Sequence, residues 1–231
     1  MDFETLEETC KKYATLEEYK EKVEKAKEIV REVLQREGQK YVAYSGGKDS
    51  SCVLHLVVSQ APNTLCLHWD YGRYFIPREI YNEIIWNAAK IGAKNIEVRT
   101  SEKYEKYKRK ARGVLGQDLL GKVAPELYEK GYRYCFLGLR KEESIRRRRR
   151  INADRSYTKI HEVYPIADWT WLDVWTYLIT NKLPILNIYK RYGKVIGWDK
   201  VRFITLFDSE FDKYGTPNVD GVLYWEFKNI K

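Results

Sequence analysis

Apolar residues recur at spacings of three and four over the first forty positions. Tyr19, Val23, Ala26, Val30, Val33 and Leu34 share one face, so residues 4–37 read as helical, with Lys and Glu on a solvated opposite face. Thr15 with Glu18 has the pattern of a capping box, and Gly38 reads as the C-terminal stop. The period then changes. Tyr41-Val42-Ala43-Tyr44 is a short continuous apolar run, read as a buried strand, and Ser51–Val58 reads as a buried helix. A second run, Thr64–Trp69, ends at Asp70. Helical spacing resumes from Pro77 through Ile80, Ile84, Ile85, Ala88 and Ile91, with Gly92 as its stop. Ile96-Glu97-Val98 predicts a third strand, residues 117–130 an interrupted helix, and Tyr132–Leu137 a fourth strand. Residues 141–150 read as a very basic helix, Val163 marks a fifth strand, and Trp171–Thr180 is an amphipathic helix. Residues 101–112 and the aromatic-rich last thirty residues give no clear pattern.

Strands alternating with helices predict an α/β fold, a mostly parallel sheet sandwiched by helices. Ligands in such sheets sit beyond the carboxyl ends of the strands. Three polar clusters fall at those ends: Ser45-Gly46-Gly47-Lys48-Asp49-Ser50, Asp70, and Gly138-Leu139-Arg140. The expected organisation is an N-terminal helical extension (1–38), a nucleotide-binding domain (39–199) and a C-terminal tail (200–231) packed on or near it.

Composition narrows the class. A chain of 231 residues is long enough to bury a core without disulfide staples. The four cysteines (Cys10, Cys52, Cys66, Cys135) form no CxxC pair, which predicts neither a zinc site nor an iron–sulfur cluster. His55, His68 and His161 have no ligand spacing. No apolar run approaches the ~20 residues of a membrane helix, and the acidic start lacks a signal peptide's apolar core, so a cytoplasmic protein is expected. The net charge of +9 favours anionic partners.

The strand–glycine–helix geometry around residues 45–50 offers backbone N–H groups to a phosphate. Gly46 and Gly47 permit the close approach, Lys48 adds charge, and Ser45 and Ser50 add hydroxyl donors. Asp49 repels a phosphate unless it caps the helix or holds Mg²⁺. Gly116–Val123 nearly matches a second phosphate loop, but it has Val123 where a hydroxyl should meet Mg²⁺ and follows no buried strand, so it reads as a chance match. Arg140 and Arg147 suit bidentate contact with phosphate or sulfate. Arg146, Arg147, Arg148, Arg149 and Arg150 cannot all face one small ligand, because a helix turns them to different sides; the outer ones suit a nucleic-acid backbone or a solvated face. Asp168 and Asp173, at a helix start, are as consistent with capping as with a site.

These motifs resemble the adenine-nucleotide α-hydrolase (PP-loop ATP pyrophosphatase) superfamily, and within it the 3′-phosphoadenosine 5′-phosphosulfate (PAPS) reductase-like family. Ser45–Ser50 looks like the PP-loop. Asp70-Tyr71-Gly72 with Phe75–Glu79, Gly138-Leu139-Arg140 with Glu143-Ser144 and Arg147, and Pro165–Trp175 are similar to later family segments, and Asn181–Pro184, Tyr189 and Gly193 continue the pattern. The resemblance implies an adenine-nucleotide ligand, ATP or PAPS/APS, at Ser45, Gly46, Gly47, Lys48, Asp49, Ser50, Asp70, Gly138, Arg140, Ser144 and Arg147. Lys48, Asp49 and Arg140 would be catalytic and Asp49 the Mg²⁺ contact. The family's reductases use a C-terminal cysteine to attack sulfur, and this chain has no cysteine after Cys135. A thiol is the nucleophile of that chemistry. The leading expectation is therefore chemistry at the nucleotide α-phosphate: ATP pyrophosphatase activity or adenylyl transfer to an acceptor, with sulfur transfer as one destination. The alternatives are a sulfonucleotide reductase with a non-standard thiol, such as Cys52, and a nucleotide- or nucleic-acid-binding module without catalysis.

Overall fold

A computed structural model describes residues 1–108, 110–111, 116–154 and 156–203. Two helices precede the sheet: α1 (Phe3–Tyr13) and α2 (Glu17–Gln35). Then follow β1 (Gln39–Ala43), α3 (Lys48–Val58), β2 (Leu65–Asp70), α4 (Arg78–Ile91), β3 (Asn95–Thr100) and α5 (Glu102–Tyr107). A π-helical turn (Leu119–Val123) leads into α6 (Ala124–Glu129), followed by β4 (Tyr132–Phe136), α7 (Ile145–Asn152), β5 (His161–Val163), α8 (Trp171–Thr180) and α9 (Asn187–Ile196).

The five strands form one parallel sheet in the order β3-β2-β1-β4-β5. Tyr41 lies beside Leu65 on one side and Cys135 on the other, and Cys135 lies beside Glu162. The connection from β1 runs outward through β2 to β3, and the chain then returns to place β4 on the opposite side of β1. That reversal opens a crevice between the carboxyl ends of β1 and β4. Every residue of β2 is buried, as a strand with both faces covered requires.

The single helix expected over 4–37 is instead two. The backbone tightens at Thr15 and Leu16, whose N–H groups bond to Lys12 and Tyr13 three residues back. Thr15 Oγ1 also donates backward, to Lys12 O at 2.8 Å, so no Thr15–Glu18 capping box forms. The break turns α1 onto α8 and α9. There Phe3 meets Trp198 at 5.5 Å, and Trp198 Nε1 donates to Met1 O at 2.9 Å. Gly38 does not cap α2 either. The helix ends at extended Arg36, and Gly38 (φ +89°) makes the turn into β1, where a Cβ would sit 2.4 Å from Arg133 Cγ. Gly92 does stop α4, in the left-handed conformation at φ +113°. The Gly116–Val123 stretch feeds the π-helical turn, and no strand of the described residues leads into it. Helix α9, not foreseen from the pattern, carries buried Tyr189 and Tyr192. Residues 204–231, most of the expected C-terminal tail, lie outside the described residues.

Asp173 is fully buried. It completes a capping box with Thr170 and accepts from Tyr13 Oη (3.0 Å) and Lys22 Nζ (3.2 Å). It therefore fastens α8 to the N-terminal helices. Asp168 pairs with Lys141 and Lys25 at the surface. No helix of the described residues is long and apolar enough to cross a membrane.

Candidate functional site

At the carboxyl end of β1 the chain turns through Ser45-Gly46-Gly47 into α3. Gly46 has φ +84°, and a Cβ there would lie 2.4 Å from Ile84 Cγ1, so this position admits no side chain. Gly47 is the N-cap of α3. Its carbonyl accepts Ser50 Oγ at 2.9 Å and Ser51 Oγ at 3.0 Å. Ser45 Oγ sits 3.1 Å from Ser50 Oγ and accepts the Gly47 N–H at 3.3 Å. The Lys48 N–H donates to Tyr189 Oη at 3.0 Å, and the same phenol oxygen accepts the Phe203 N–H at 3.0 Å. One side chain of α9 thus ties the loop to the backbone at Phe203.

The loop after β4 packs directly on this turn. A Cβ at Gly138 would stand 2.7 Å from both Asp49 C and Ser50 N, so the two backbones touch where only glycine fits. Two residues on, Arg140 reaches back, and its Nε donates to Asp49 Oδ1 at 2.5 Å. Lys48 Nζ meets Asp49 Oδ2 at 3.0 Å. Lys48 is 2% exposed and Arg140 3%, so both cations lie beneath the loop. Burial by itself would raise the Asp49 carboxyl, but the Arg140 guanidinium and the Lys48 ammonium hold it well below the usual carboxylate range. Asp49 is not the cap of α3, a role Gly47 fills. Both of its oxygens face cations, a poor fit for Mg²⁺. No cluster of three metal-ligating side chains occurs among the described residues.

A second carboxylate organises the other wall. Glu143 accepts the Arg140 N–H at 3.2 Å, pairs closely with Arg147, and lies 3.8 Å from Arg202. Ser144 caps α7 by accepting the Arg147 N–H at 3.1 Å. Asp70 stands at the end of β2, held by a bidentate pair with Arg78 (2.8 and 2.9 Å) and by the Gly72 N–H (2.8 Å). Burial pushes its carboxyl up, and the Arg78 hydrogen bonds bring it below its ordinary value.

Between these walls lies a cavity of about 430 Å³. Ser45, Gly47, Asp49, Ser50 and Gly138 line its loop end. Ala43, Leu67, Trp69, Leu127 and Leu137 form an apolar wall. Arg147, Arg150, Tyr157, Glu162 and Arg202 complete a charged rim. Glu162 is buried and pairs with Arg150 and the Tyr164 hydroxyl. An apolar wall with a few convergent polar groups is the usual form of a small-molecule site. Of the residues expected from the sequence, Ser45, Gly47, Asp49, Ser50, Gly138 and Arg147 line the cavity. Gly46, Lys48, Arg140 and Ser144 support it from behind, and Asp70 braces the end of β2. Sequence reasoning missed Glu143 and Glu162 as partners of the arginines and Tyr189 as the loop's anchor. Glu143 stands three residues after Arg140 and four before Arg147, a spacing that could have found it; Glu162 and Tyr189 sit on separate elements with no spacing that groups them with the loop.

All four cysteines are buried. Cys52 lies on α3 with its Sγ toward Val174 O at 3.7 Å, and burial pushes its thiol far above the ordinary value. Burial raises Cys66 and Cys135 to about 12 and lifts Cys10 as well. Cys135 borders the cavity wall but is 4% exposed. His68 Nδ1 bonds to Tyr44 O at 2.8 Å and His55 Nδ1 to Tyr177 Oη at 2.8 Å, consistent with structural roles.

Fold and crevice together define a parallel α/β protein with a cavity at its topological switch point. The phosphoadenosine phosphosulfate reductase domain family matches residues 39–206, and the chain belongs to that family. An uncharacterized protein of Methanocaldococcus jannaschii is 30% identical over 178 residues, covering 69% of this chain and 34% of that protein. The adenosine 5′-phosphosulfate reductase of Oceanobacillus iheyensis is 45% identical over 62 residues, 26% of this chain and 25% of that enzyme. The chain thus aligns with about a third or less of the length of these curated relatives. The phosphoadenylyl-sulfate (PAPS) reductase of Candida auris, solved with phosphate, superposes with a TM-score of 0.50 at 17% identity, covering 81% of this chain and 91% of that one. That likeness supports the fold.

Proposed function

We propose that the protein is an adenine-nucleotide-binding enzyme that acts at the nucleotide α-phosphate, activating an acceptor by adenylyl transfer. The single observation that carries this reading is the state of the thiols. The chain has four cysteines, each buried and each with its thiol raised above the ordinary value, while the glycine loop, Gly138 and Arg147 stand together at an open cavity. Reduction of a sulfonucleotide needs a thiolate at the sulfur; phosphoryl chemistry needs positioning and electrostatic stabilisation.

In this reading the purine occupies the apolar wall of Leu67, Trp69 and Leu137, and the phosphates lie against Ser45, Gly47 and Ser50. An acceptor oxygen attacks the α-phosphorus, the bond to the bridging β-phosphate oxygen breaks, and pyrophosphate leaves with that electron pair. Arg147 and Arg202 at the rim meet the leaving charge. Lys48 and Arg140, locked on Asp49, act as positioning residues that hold the loop in register. The second reading, reduction of APS or PAPS with a thiol supplied by another protein, is favoured by family membership and by the named APS reductase relatives. A third, nucleotide binding without turnover, has no observation of its own beyond the same cavity.

The test is product analysis. Incubation with ATP and Mg²⁺ should yield pyrophosphate, together with AMP where water takes the adenylyl group. Incubation with PAPS or APS and a thioredoxin system should yield no sulfite. Sulfite release would overturn the proposal and select reduction, and tight nucleotide binding with neither product would select the binding module.

A further inference from the structure

Helix α7 carries five consecutive arginines, and the structure divides them into two sets. Arg147 and Arg150 turn inward, line the cavity and meet Glu143 and Glu162. Arg146, Arg148 and Arg149 are exposed, and none has a carboxylate partner among the described residues. Helical geometry spreads them across the whole outer face, with Arg149 between the other two. Three neighbouring guanidinium groups without countercharge repel one another and weaken their own helix. A solvated face needs no such concentration. At the edge of this face, against Arg150, Tyr157 is 68% exposed, with the Arg150 guanidinium 3.8 Å over its ring; Arg150 is one helical turn from Arg146, and Tyr157 also borders the cavity. Ile145, also 68% exposed, lies on the same helix.

We infer that this face binds single-stranded nucleic acid, laid along the outside of α7 at the mouth of the cavity. Charge complementarity selects a polyanion with regularly spaced charges, and the exposed tyrosine selects one whose bases are free to stack. An extended strand supplies both: its phosphates pair with Arg146, Arg148 and Arg149, and one base stacks on Tyr157. A duplex keeps its bases stacked on one another and cannot use the tyrosine. An acidic polypeptide matches the charge and likewise leaves Tyr157 unused. Because Tyr157 borders the cavity as well, a strand stacked on it brings its own groups to the cavity rim. The binding claim itself stands apart from the proposed adenylyl transfer.

The test is fluorescence anisotropy with labelled 12-nucleotide RNA and DNA single strands, the matching duplex and poly-glutamate, over a series of salt concentrations. Three phosphate contacts contribute a slope of about −2 in log K against log salt for a single strand. The triple variant R146Q/R148Q/R149Q should lose that share of the slope and bind about 100-fold more weakly at 0.1 M salt. Its affinity for a free nucleotide should be unchanged, and this separates failure here from failure of the nucleotide site. Tyr157→Ala should weaken the single strand about five- to 150-fold with the salt slope intact. The inference is overturned if the triple variant keeps the wild-type slope or if poly-glutamate displaces the strand at equal charge concentration. Duplex binding as tight as single-strand binding, with Tyr157→Ala silent, also overturns it. RNA bound over DNA, or both alike, supports it and names the polymer.

Discussion

Replacing Asp49 by Asn removes one charge and leaves the side chain's shape. In the folded protein it removes the carboxylate from between two cations, Lys48 and Arg140, which are 2% and 3% exposed. Arg140 retains Glu142 and Glu143 nearby, whereas Lys48 Nζ is paired with Asp49. Removing one partner of a buried ion pair costs about 3–5 kcal/mol, because the remaining charge stays desolvated without compensation. With a urea m-value of about 3 kcal/mol/M for a chain of this size, the unfolding midpoint should fall by about 1–1.7 M at pH 7. The double variant K48M/D49N removes the stranded ammonium together with its partner. Its cost should be smaller than the sum of the two single costs by at least about 1 kcal/mol. Chemical unfolding followed by tryptophan fluorescence and far-UV circular dichroism measures all three. A loss below about 1 kcal/mol in D49N, with m unchanged, would refute the view that this triad is a buried electrostatic lock. Strict additivity in the double variant would refute the pairing of Lys48 with Asp49.

Gly138→Ala places a methyl group against the backbone of Asp49 and Ser50, which cannot rotate away. It should cost about 1–3 kcal/mol and reduce nucleotide affinity at least about tenfold, read by unfolding and by isothermal titration. Thiol titration with Ellman's reagent at pH 8 should find none of the four cysteines reacting rapidly in the native protein and all four after denaturation, because burial keeps each thiol protonated. Asp49 and Asp70 have folded values below the ordinary ~3.9, so the stability they contribute is present above pH ~4 and is lost as the pH falls through those lowered values. The urea midpoint of the wild type should therefore drop steeply below pH 4, and that of D49N should drop less.

Long periodic runs carried the fold. β1, β2, β4 and α8 were legible because a continuous apolar run or a spacing of three and four can be satisfied only by burial. The break at Thr15 was not, because the apolar face of α2 continues the spacing of α1, and what separates them is the docking of Phe3 on Trp198, almost two hundred residues away. Gly38 misled for a related reason: its positive φ serves a turn against Arg133 rather than a helix end. At the site, the glycine loop and the Gly138-Leu139-Arg140 segment were legible because a close backbone approach restricts the residue type. The direction in which Lys48 and Arg140 point was not. A phosphate loop predicts a lysine aimed at ligand, whereas here Asp49 draws both cations under the loop. The pairing of Glu143 with Arg147 was open to a reading of its i,i+4 spacing, whereas the roles of Glu162 on Arg150 and of Tyr189 on the glycine loop depend on elements that only the fold brings together.

The central proposal to be tested is that the crevice between β1 and β4 is an adenine-nucleotide site. Isothermal titration of the wild-type chain with ATP, APS and PAPS, repeated on Gly138→Ala and Arg147→Ala, tests that directly. The account predicts saturable binding of one nucleotide per chain, weakened at least about tenfold in both folded variants. Absence of binding to the folded wild type, or binding that both substitutions leave intact, would contradict it.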